Sequence, residues 1–253
     1  MSQPHVVIVG GGFGGLACAK KLAGADVRIT LIDRRNHHLF QPLLYQVATA
    51  ALAPSDIAEP LRGILARQRN VEVRLAEVVG IDASAQQLTL SDGETVDWDY
   101  LVLAAGARTS WFGNDWSEDA PGLKTLSDAL SLRRRLLSAF EQAEWTDDPE
   151  ERRRLLTFAV VGAGPTGVEV AGAIAEIAHT TLRGDFRHIE AERARVLLVE
   201  AAPDVLGTFD PSLRAKAAKQ LTDLGVELRT GQKVEQVEDG VLTVDGERIE
   251  AAA

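Results

Sequence analysis

Six glycines and two acids carry the chemistry most readily read from this sequence. Gly10-x-Gly12-x-x-Gly15 follows the β-branched run His5-Val6-Val7-Ile8-Val9, and Gly162-x-Gly164-x-x-Gly167 follows Phe158-Ala159-Val160-Val161. Both triads lead into alanine-rich stretches with helical spacing, and both are answered by a second apolar run ending in an acid. These runs are Val27 to Asp33 and Val196 to Glu200. Strand, glycine turn, helix, strand and terminal acid is the pattern that binds a dinucleotide. The first glycine allows a tight turn, the second lets a pyrophosphate approach the backbone, and the third lets helix pack on sheet. The helix start adds free N–H groups and about half a positive charge. Phe13 and Gly14 in the first turn, and Pro165 and Thr166 in the second, complete the candidate binding set. Asp33 and Glu200 stand where ribose hydroxyls would be met. Ala201, Ala202 and Pro203 follow Glu200 without a base to meet a 2′-phosphate, which favours NADH over NADPH. Arg34 and Arg35 follow Asp33, so that argument is weaker there, and Arg34 joins the candidate set.

One such triad is weak evidence, since a glycine-rich loop can match it by chance; two complete copies are not. They imply two nucleotides in one chain, most economically a flavin and a nicotinamide. Glycine spacing leaves open which copy holds which. The elements needed to position them make an α/β fold of two Rossmann-like dinucleotide-binding units, of the FAD/NAD(P)-binding, glutathione-reductase-like kind. The longer interval in the second copy fits a longer helix and loop around His179 to Arg193. Val71 to Asp99, with Asp92-Gly93, reads as a small antiparallel meander. Tyr100 to Gly106 reads as a buried strand, and Ser127 to Trp145 as a helix ended by Asp147-Asp148-Pro149. Another helix runs from Asp210 to Leu224, then a strand from Val226 to Leu228 and a hairpin from Val241 to Ile249. The expected domains are 1–115 and 151–253, joined by a helical segment over 116–150, with the second unit wanting one more strand.

Composition narrows the classes. The chain has 253 residues, 45% hydrophobic and 25% charged, and a net charge of −10. That mixture suits a folded core, and the sign argues against a nucleic-acid binder. Cys18 is the single cysteine, which excludes an internal disulfide or a CxxC redox pair. No apolar run approaches the ~18 residues that cross a bilayer, and the N-terminus lacks a signal peptide's apolar core. A soluble, intracellular chain is expected.

Longer motifs carry a resemblance. Asn36-His37-His38-Leu39-Phe40-Gln41-Pro42-Leu43-Leu44-Tyr45-Gln46-Val47-Ala48-Thr49 resembles the signature of type II NADH:quinone oxidoreductases. So do Ser110-Trp111-Phe112-Gly113, Ala120-Pro121-Gly122-Leu123-Lys124-Thr125-Leu126 with Asp128-Ala129, and Gly162 through Glu176. The resemblance implies FAD in the first copy and NADH in the second. It implies Gln41, Pro42 and Leu43 close to the flavin ring, Val78 near its adenine, and Ala105 and Gly106 near the cofactor. Glu169 would sit where nicotinamide and flavin meet. Electrons would pass to a quinone near Gln41 to Gln46, without proton pumping. The chain resembles the N-terminal part of such enzymes. Membrane contact, on the cytoplasmic face of the inner membrane, is expected only through a C-terminal region not present here, and a homodimer is compatible.

Plainer readings stand beside these. Cys18 suits a small core position, and His37 and His38 a surface loop. Tyr45 and Gln46 can simply pack, and Glu169 also suits a helix N-terminus. Arg133 to Arg135 and Arg152 to Arg154 read as solvated helix faces, Glu176 as helix surface, and the four tryptophans as fillers of core and loop gaps. Two other functions fit the same plan: a reductase of a soluble acceptor such as ferredoxin, and a nucleotide-binding module without turnover.

Overall fold

The computed structural model describes residues 3–111 and 113–253, and the elements below are those of these residues. Phe112, one residue of the Ser110–Gly113 motif, lies outside them. Two compact units are formed, one by residues 1–41 and 54–108, the other by 42–53 and 109–253.

In the first unit, β1 (His5–Val9) leads through the glycine turn to α1 (Phe13–Lys21) and back to β2 (Arg28–Asp33). The short β3 (His37–Leu39) precedes α2 (Leu44–Ala48), which belongs to the second unit. Then come α3 (Pro54–Ile57), β4 (Ala58–Pro60), α4 (Leu61–Ile64) and β5 (Val71–Leu75). A meander of β6 (Val78–Asp82), β7 (Gln87–Leu90) and β8 (Thr95–Asp97) precedes β9 (Tyr100–Leu103). The main sheet runs β5-β2-β1-β9, all neighbours parallel.

Alternation along β1 and β2 explains the layering. Val6, Ile8, Ile29 and Leu31 bury against Leu16 and Ala19 of α1, with Leu61 and Leu65. Val7 and Ile32 face the other way, onto Leu88, Leu90 and Val96 of the meander. Two expectations are corrected here. Val71 to Leu75 is not part of the meander: it pairs in parallel with β2, Ile29 opposite Val71. Tyr100 to Gly106 is not a buried strand either, because β9 is an edge, with Tyr100 63% and Leu103 61% exposed.

The second unit repeats the plan. Helix α5 (Leu126–Trp145) and α6 (Pro149–Leu155) precede β10 (Thr157–Val161), the second glycine turn and α7 (Pro165–Glu176). A π-helical turn over Ile177–Thr181 extends α7, the longer helix that the interval required. Next are β11 (Arg195–Glu200), α8 (Pro211–Asp223) and β12 (Val226–Thr230). β13 (Val234–Glu238), β14 (Val241–Val244) and β15 (Glu247–Glu250) complete the unit. The parallel sheet is β10-β11-β12. Val196 and Leu198 bury on the helix side with Phe158 and Phe140. Leu197 and Val199 bury on Leu242, Val244 and Ile249. The hairpin expected at 241–249 therefore has a third strand, β13, antiparallel to β14. At the open edge of β10, Ala252 donates its N–H to Thr157 (2.9 Å) and Ala159 donates to Ala253 (2.8 Å).

Helix boundaries follow their caps. Thr125 and Asp128 form a capping box at the start of α5, and Asp148 and Asp210 cap α6 and α8, each ahead of a proline. Arg152 bonds the Ala143 and Thr146 carbonyls at the end of α5, and Arg154 pairs with Glu151. The Arg154 pair is the expected balance of a helix face by a nearby acid, whereas Arg152 closes the end of α5 on backbone carbonyls, which the sequence did not suggest. Arg135 similarly donates to the carbonyls of Glu118 and Asp119. Cys18 packs beside the first unit's core, as expected, whereas Trp145 is 80% exposed and Leu130 41% exposed. No helix among the described residues is long and apolar enough to cross a membrane.

Candidate functional site

Each glycine turn is built by the same bonds. In the first, Gly10 donates its N–H to Ile32 (2.7 Å), and Gly11 donates to Asp33 Oδ2 (2.6 Å). In the second, Gly162 donates to Val199 (2.8 Å), and Ala163 donates to Glu200 Oε2 (2.7 Å). The second carboxylate oxygen of each acid accepts an N–H two residues on, from Arg35 (2.7 Å) and from Ala202 (2.8 Å). The acids thus tie the glycine turn to the neighbouring strand end. That role is not legible in the spacing, which suggests only a ribose contact. Each oxygen keeps capacity for a further donor.

The outer glycines are forced by geometry. Gly10 and Gly162 have φ of +107° and +94°, where a side chain is strained. A β-carbon at Gly15 would stand 1.8 Å from the Gly10 carbonyl oxygen, and one at Gly167 would meet Gly162 at the same distance. The middle glycines differ, since nothing lies within 4 Å of a β-carbon built at Gly12 or Gly164. These two are the N-caps of α1 and α7, and neither helix start is capped by a side chain. Open ground before uncapped helix N–H groups fits a pyrophosphate in both turns.

The structure gathers most of the first set. Ala104 and Ala105 press on Gly10, whose β-carbon would stand 2.2 Å from the Ala104 oxygen, and Gly106 follows with φ of +75°. Ala76 donates to the Asp33 carbonyl (3.0 Å), and Arg34 pairs with Glu77 at 3.7 Å, next to Val78. Val78 itself packs beside Val9 and Trp98 in the core below the meander. Phe13 is half-exposed and meets the rings of His38 and Phe40 edge-on, at 5.0 and 5.6 Å. The ring of His38 also reaches the Gly11 carbonyl at 3.1 Å, so Nδ1 is the donor. Sequence reasoning left His38 open between facing a cofactor and a surface loop, and its bond to the glycine turn was not foreseen. Gln41, Pro42 and Leu43 form a 3-10 turn. Pro42 and Leu43 group with the second unit, where Tyr45 packs beside the core.

In the second unit the glycine turn opens on a cavity of about 740 Å³. Gly164, Pro165, Thr166 and Gly167 line one wall, Trp111 and Leu123 another. Glu169 is on α7 outside that lining and exposed, with no hydrogen bond or ion pair among the described residues. Burial of its carboxyl against the protein nonetheless raises it above the ordinary carboxylate range. Arg214, from α8, lies beside the loop after Glu200 and is held by Asp204 at 3.0 Å. No group of three or more His, Cys, Asp or Glu among the described residues is arranged to hold a metal.

The sequence matches the pyridine nucleotide-disulphide oxidoreductase family over residues 4–253. The chain belongs to that family. It is 54% identical over 98% of its length to the type II NADH:quinone oxidoreductase Ndh of Mycobacterium tuberculosis, covering 56% of that protein. It is 32% identical over 96% of its length to the external alternative NADH-ubiquinone oxidoreductase of Yarrowia lipolytica mitochondria, covering 44% of it. The fold superposes on NDH2 from Plasmodium falciparum, solved in complex with NADH, with a TM-score of 0.91 at 23% identity. That match covers 99% of this chain and 54% of the other. The chain therefore spans about half the length of the curated relatives it matches. With Cys18 alone, these 253 residues hold no dithiol for the disulphide chemistry in the family's name.

Proposed function

We propose that this chain binds FAD in the first glycine turn and NADH in the second, and serves an NADH:quinone oxidoreductase reaction. The observation that carries the reading is the bond-for-bond repetition of the turn, with open ground at Gly12 and Gly164 and a carboxylate at each neighbouring strand end. Two such cradles bind two dinucleotides. The curated relatives named as NADH:quinone oxidoreductases support the choice of substrates.

When bound, FAD supplies the redox chemistry, accepting a hydride from NADH and passing two electrons to a quinone. The residues of this chain bind and orient. Gly10, Gly12, Phe13, Gly14 and Gly15 take the flavin's pyrophosphate, while Asp33 and Arg34 meet its adenosine, beside Val78. Gln41, Pro42, Leu43, Ala105 and Gly106 border the ring. Gly162, Gly164, Pro165, Thr166 and Gly167 take the pyrophosphate of NADH, and Glu200 takes its ribose. Glu169, whose carboxyl is raised above its ordinary value by partial burial, stands near the nicotinamide in this reading. The flavin is assigned to the unit of residues 1–41 and 54–108 and NADH to the unit of residues 42–53 and 109–253, so the connecting segment expected over 116–150 belongs to the second unit. The enzyme works at the cytoplasmic face of a membrane.

Asp33→Ala and Glu200→Ala separate the two cradles. The first is expected to weaken bound flavin, read by absorbance, and to leave NADH affinity intact; the second does the reverse, raising the NADH Kd about tenfold. Asp33→Ala weakening NADH instead would reverse the assignment, and neither substitution mattering would end it. Glu169→Gln is expected to slow NADH-to-quinone turnover with little change in NADH Kd.

A further inference from the structure

The residue between the first two glycines is tied down at both ends in each turn. Gly11 and Ala163 give their N–H to the acid at the neighbouring strand end, and each carbonyl accepts a bond from a more distant donor. In the second turn that donor is backbone, the Leu206 N–H at 2.8 Å from the Ala163 oxygen. In the first it is a side chain, the Nδ1 of His38 at 3.1 Å from the Gly11 oxygen. The elements around His38 hold it there. It stands in β3 opposite Glu59 of β4. Leu61, at the start of α4, is fully buried and packs so closely that a β-carbon on Gly11 would stand 2.5 Å from its Cδ1. The ring of Phe13 meets the imidazole edge-on at 5.0 Å. A trans peptide points its C=O and its N–H in opposite directions. A Gly11 carbonyl held by His38 therefore turns the Gly12 N–H away from the imidazole. That N–H, like the one of Gly164, makes no hydrogen bond among the described residues. A bond accepted at the oxygen of an amide also polarises it and strengthens its N–H as a donor.

We propose that His38 is a positioning residue for the flavin, its Nδ1–H fixing and polarising the Gly11–Gly12 peptide so that the Gly12 N–H is presented to the pyrophosphate. The inference rests on the reading that the first turn takes FAD. The second turn needs no such side chain, because a backbone N–H holds the Ala163 carbonyl whatever residue stands at 206. His38 lies 27 residues from Gly11 and outside the glycine fingerprint, so the glycine pattern does not point to it.

The test measures the Kd for FAD on the whole chain by flavin fluorescence, with the Kd for NADH as an internal control. Phosphorus NMR of bound FAD is the second readout, since it reports on the pyrophosphate itself and a loss of fold stability alone does not move it. His38→Leu keeps the bulk without the donor. It should weaken FAD about tenfold and shift the phosphorus signals, with the NADH Kd unchanged. His38→Asn carries an N–H on the same γ-carbon and should recover most of the affinity and the wild-type signals. His38→Gln carries its N–H one carbon further out and should not. The comparison of Asn with Gln decides the matter if His38→Leu fails to fold. An unchanged FAD Kd and unchanged phosphorus signals in His38→Leu, or equal FAD binding by the Asn and Gln variants, overturns the role of His38 and leaves the flavin cradle standing. A wild-type chain that binds no FAD, or a His38→Leu chain that loses NADH affinity instead, overturns the cradle assignment and this inference together.

Discussion

At Gly167 a single hydrogen atom is all that fits between helix and turn. A β-carbon there would stand 1.8 Å from the Gly162 oxygen, which is backbone and cannot rotate aside. Gly167→Ala must therefore push α7 away from β10. It is expected to cost about 3 kcal/mol of stability, the upper range for overpacking, and to lower NADH affinity because the helix start moves with it. Urea denaturation and NADH titration check both. Gly164→Ala is the informative contrast: with nothing within 4 Å of its β-carbon site, it should fold normally and lose affinity alone. Equal stability loss in the two variants would contradict this account of the turn.

Among the elements, α5 shows how local signals and packing combine. Thr125 accepts the Asp128 N–H at 3.1 Å while Asp128 accepts the Thr125 N–H at 2.8 Å, a reciprocal cap. Beyond it Leu136, Ala139, Phe140 and Ala143 bury against the second unit's sheet and α7. Thr125→Ala removes the hydroxyl cap and should lower stability by about 1 kcal/mol, the usual worth of an N-cap. Thr125→Ser should restore most of it. Thermal unfolding of the three proteins reads the difference, and an Ala variant as stable as wild type would show that packing alone sets where α5 begins. The contrast is α7, which lacks a side-chain cap at Gly164, so its first-turn N–H groups are not taken up by a capping side chain.

For the molecule as a whole, several carboxyls are held below the ordinary range by cations or N–H groups. Glu227 is the most connected: the side chain of Arg195 holds it down first, burial opposes, and Arg229 adds to the effect. Arg229 in turn reaches Glu247, so β11, β12 and β15 are linked by charge. A carboxyl lowered in the folded state contributes stability above its unfolded pKa of ~4.3, and that contribution is lost as pH falls through the folded value. Acid should therefore destabilise the protein below about pH 4. The groups are partly exposed, so the effect is screened by salt. Glu227→Gln should be less stable than wild type at pH 7, and the gap should close as the pH is lowered past 4; a gap independent of pH would assign the loss to packing.

Much of this was settled by local pattern. A β-branched run, three spaced glycines, an alanine-rich helix and an acid are contiguous, and each acts on neighbours in the chain, so both turns and their helices could be read directly. The meander's boundary could not. Val71 to Leu75 looks like any short strand, and only the unpaired edge of β2 decides that it lies parallel there. Nor does periodicity reveal that Tyr100 to Leu103 ends up at an edge, because burial depends on what packs alongside. The acids' hold on the glycine turns and the place of His38 against Gly11 join residues far apart in the chain. Sequence fixes which groups are available; folding decides which of them meet, since a hydrogen bond is made by distance in space and not along the backbone.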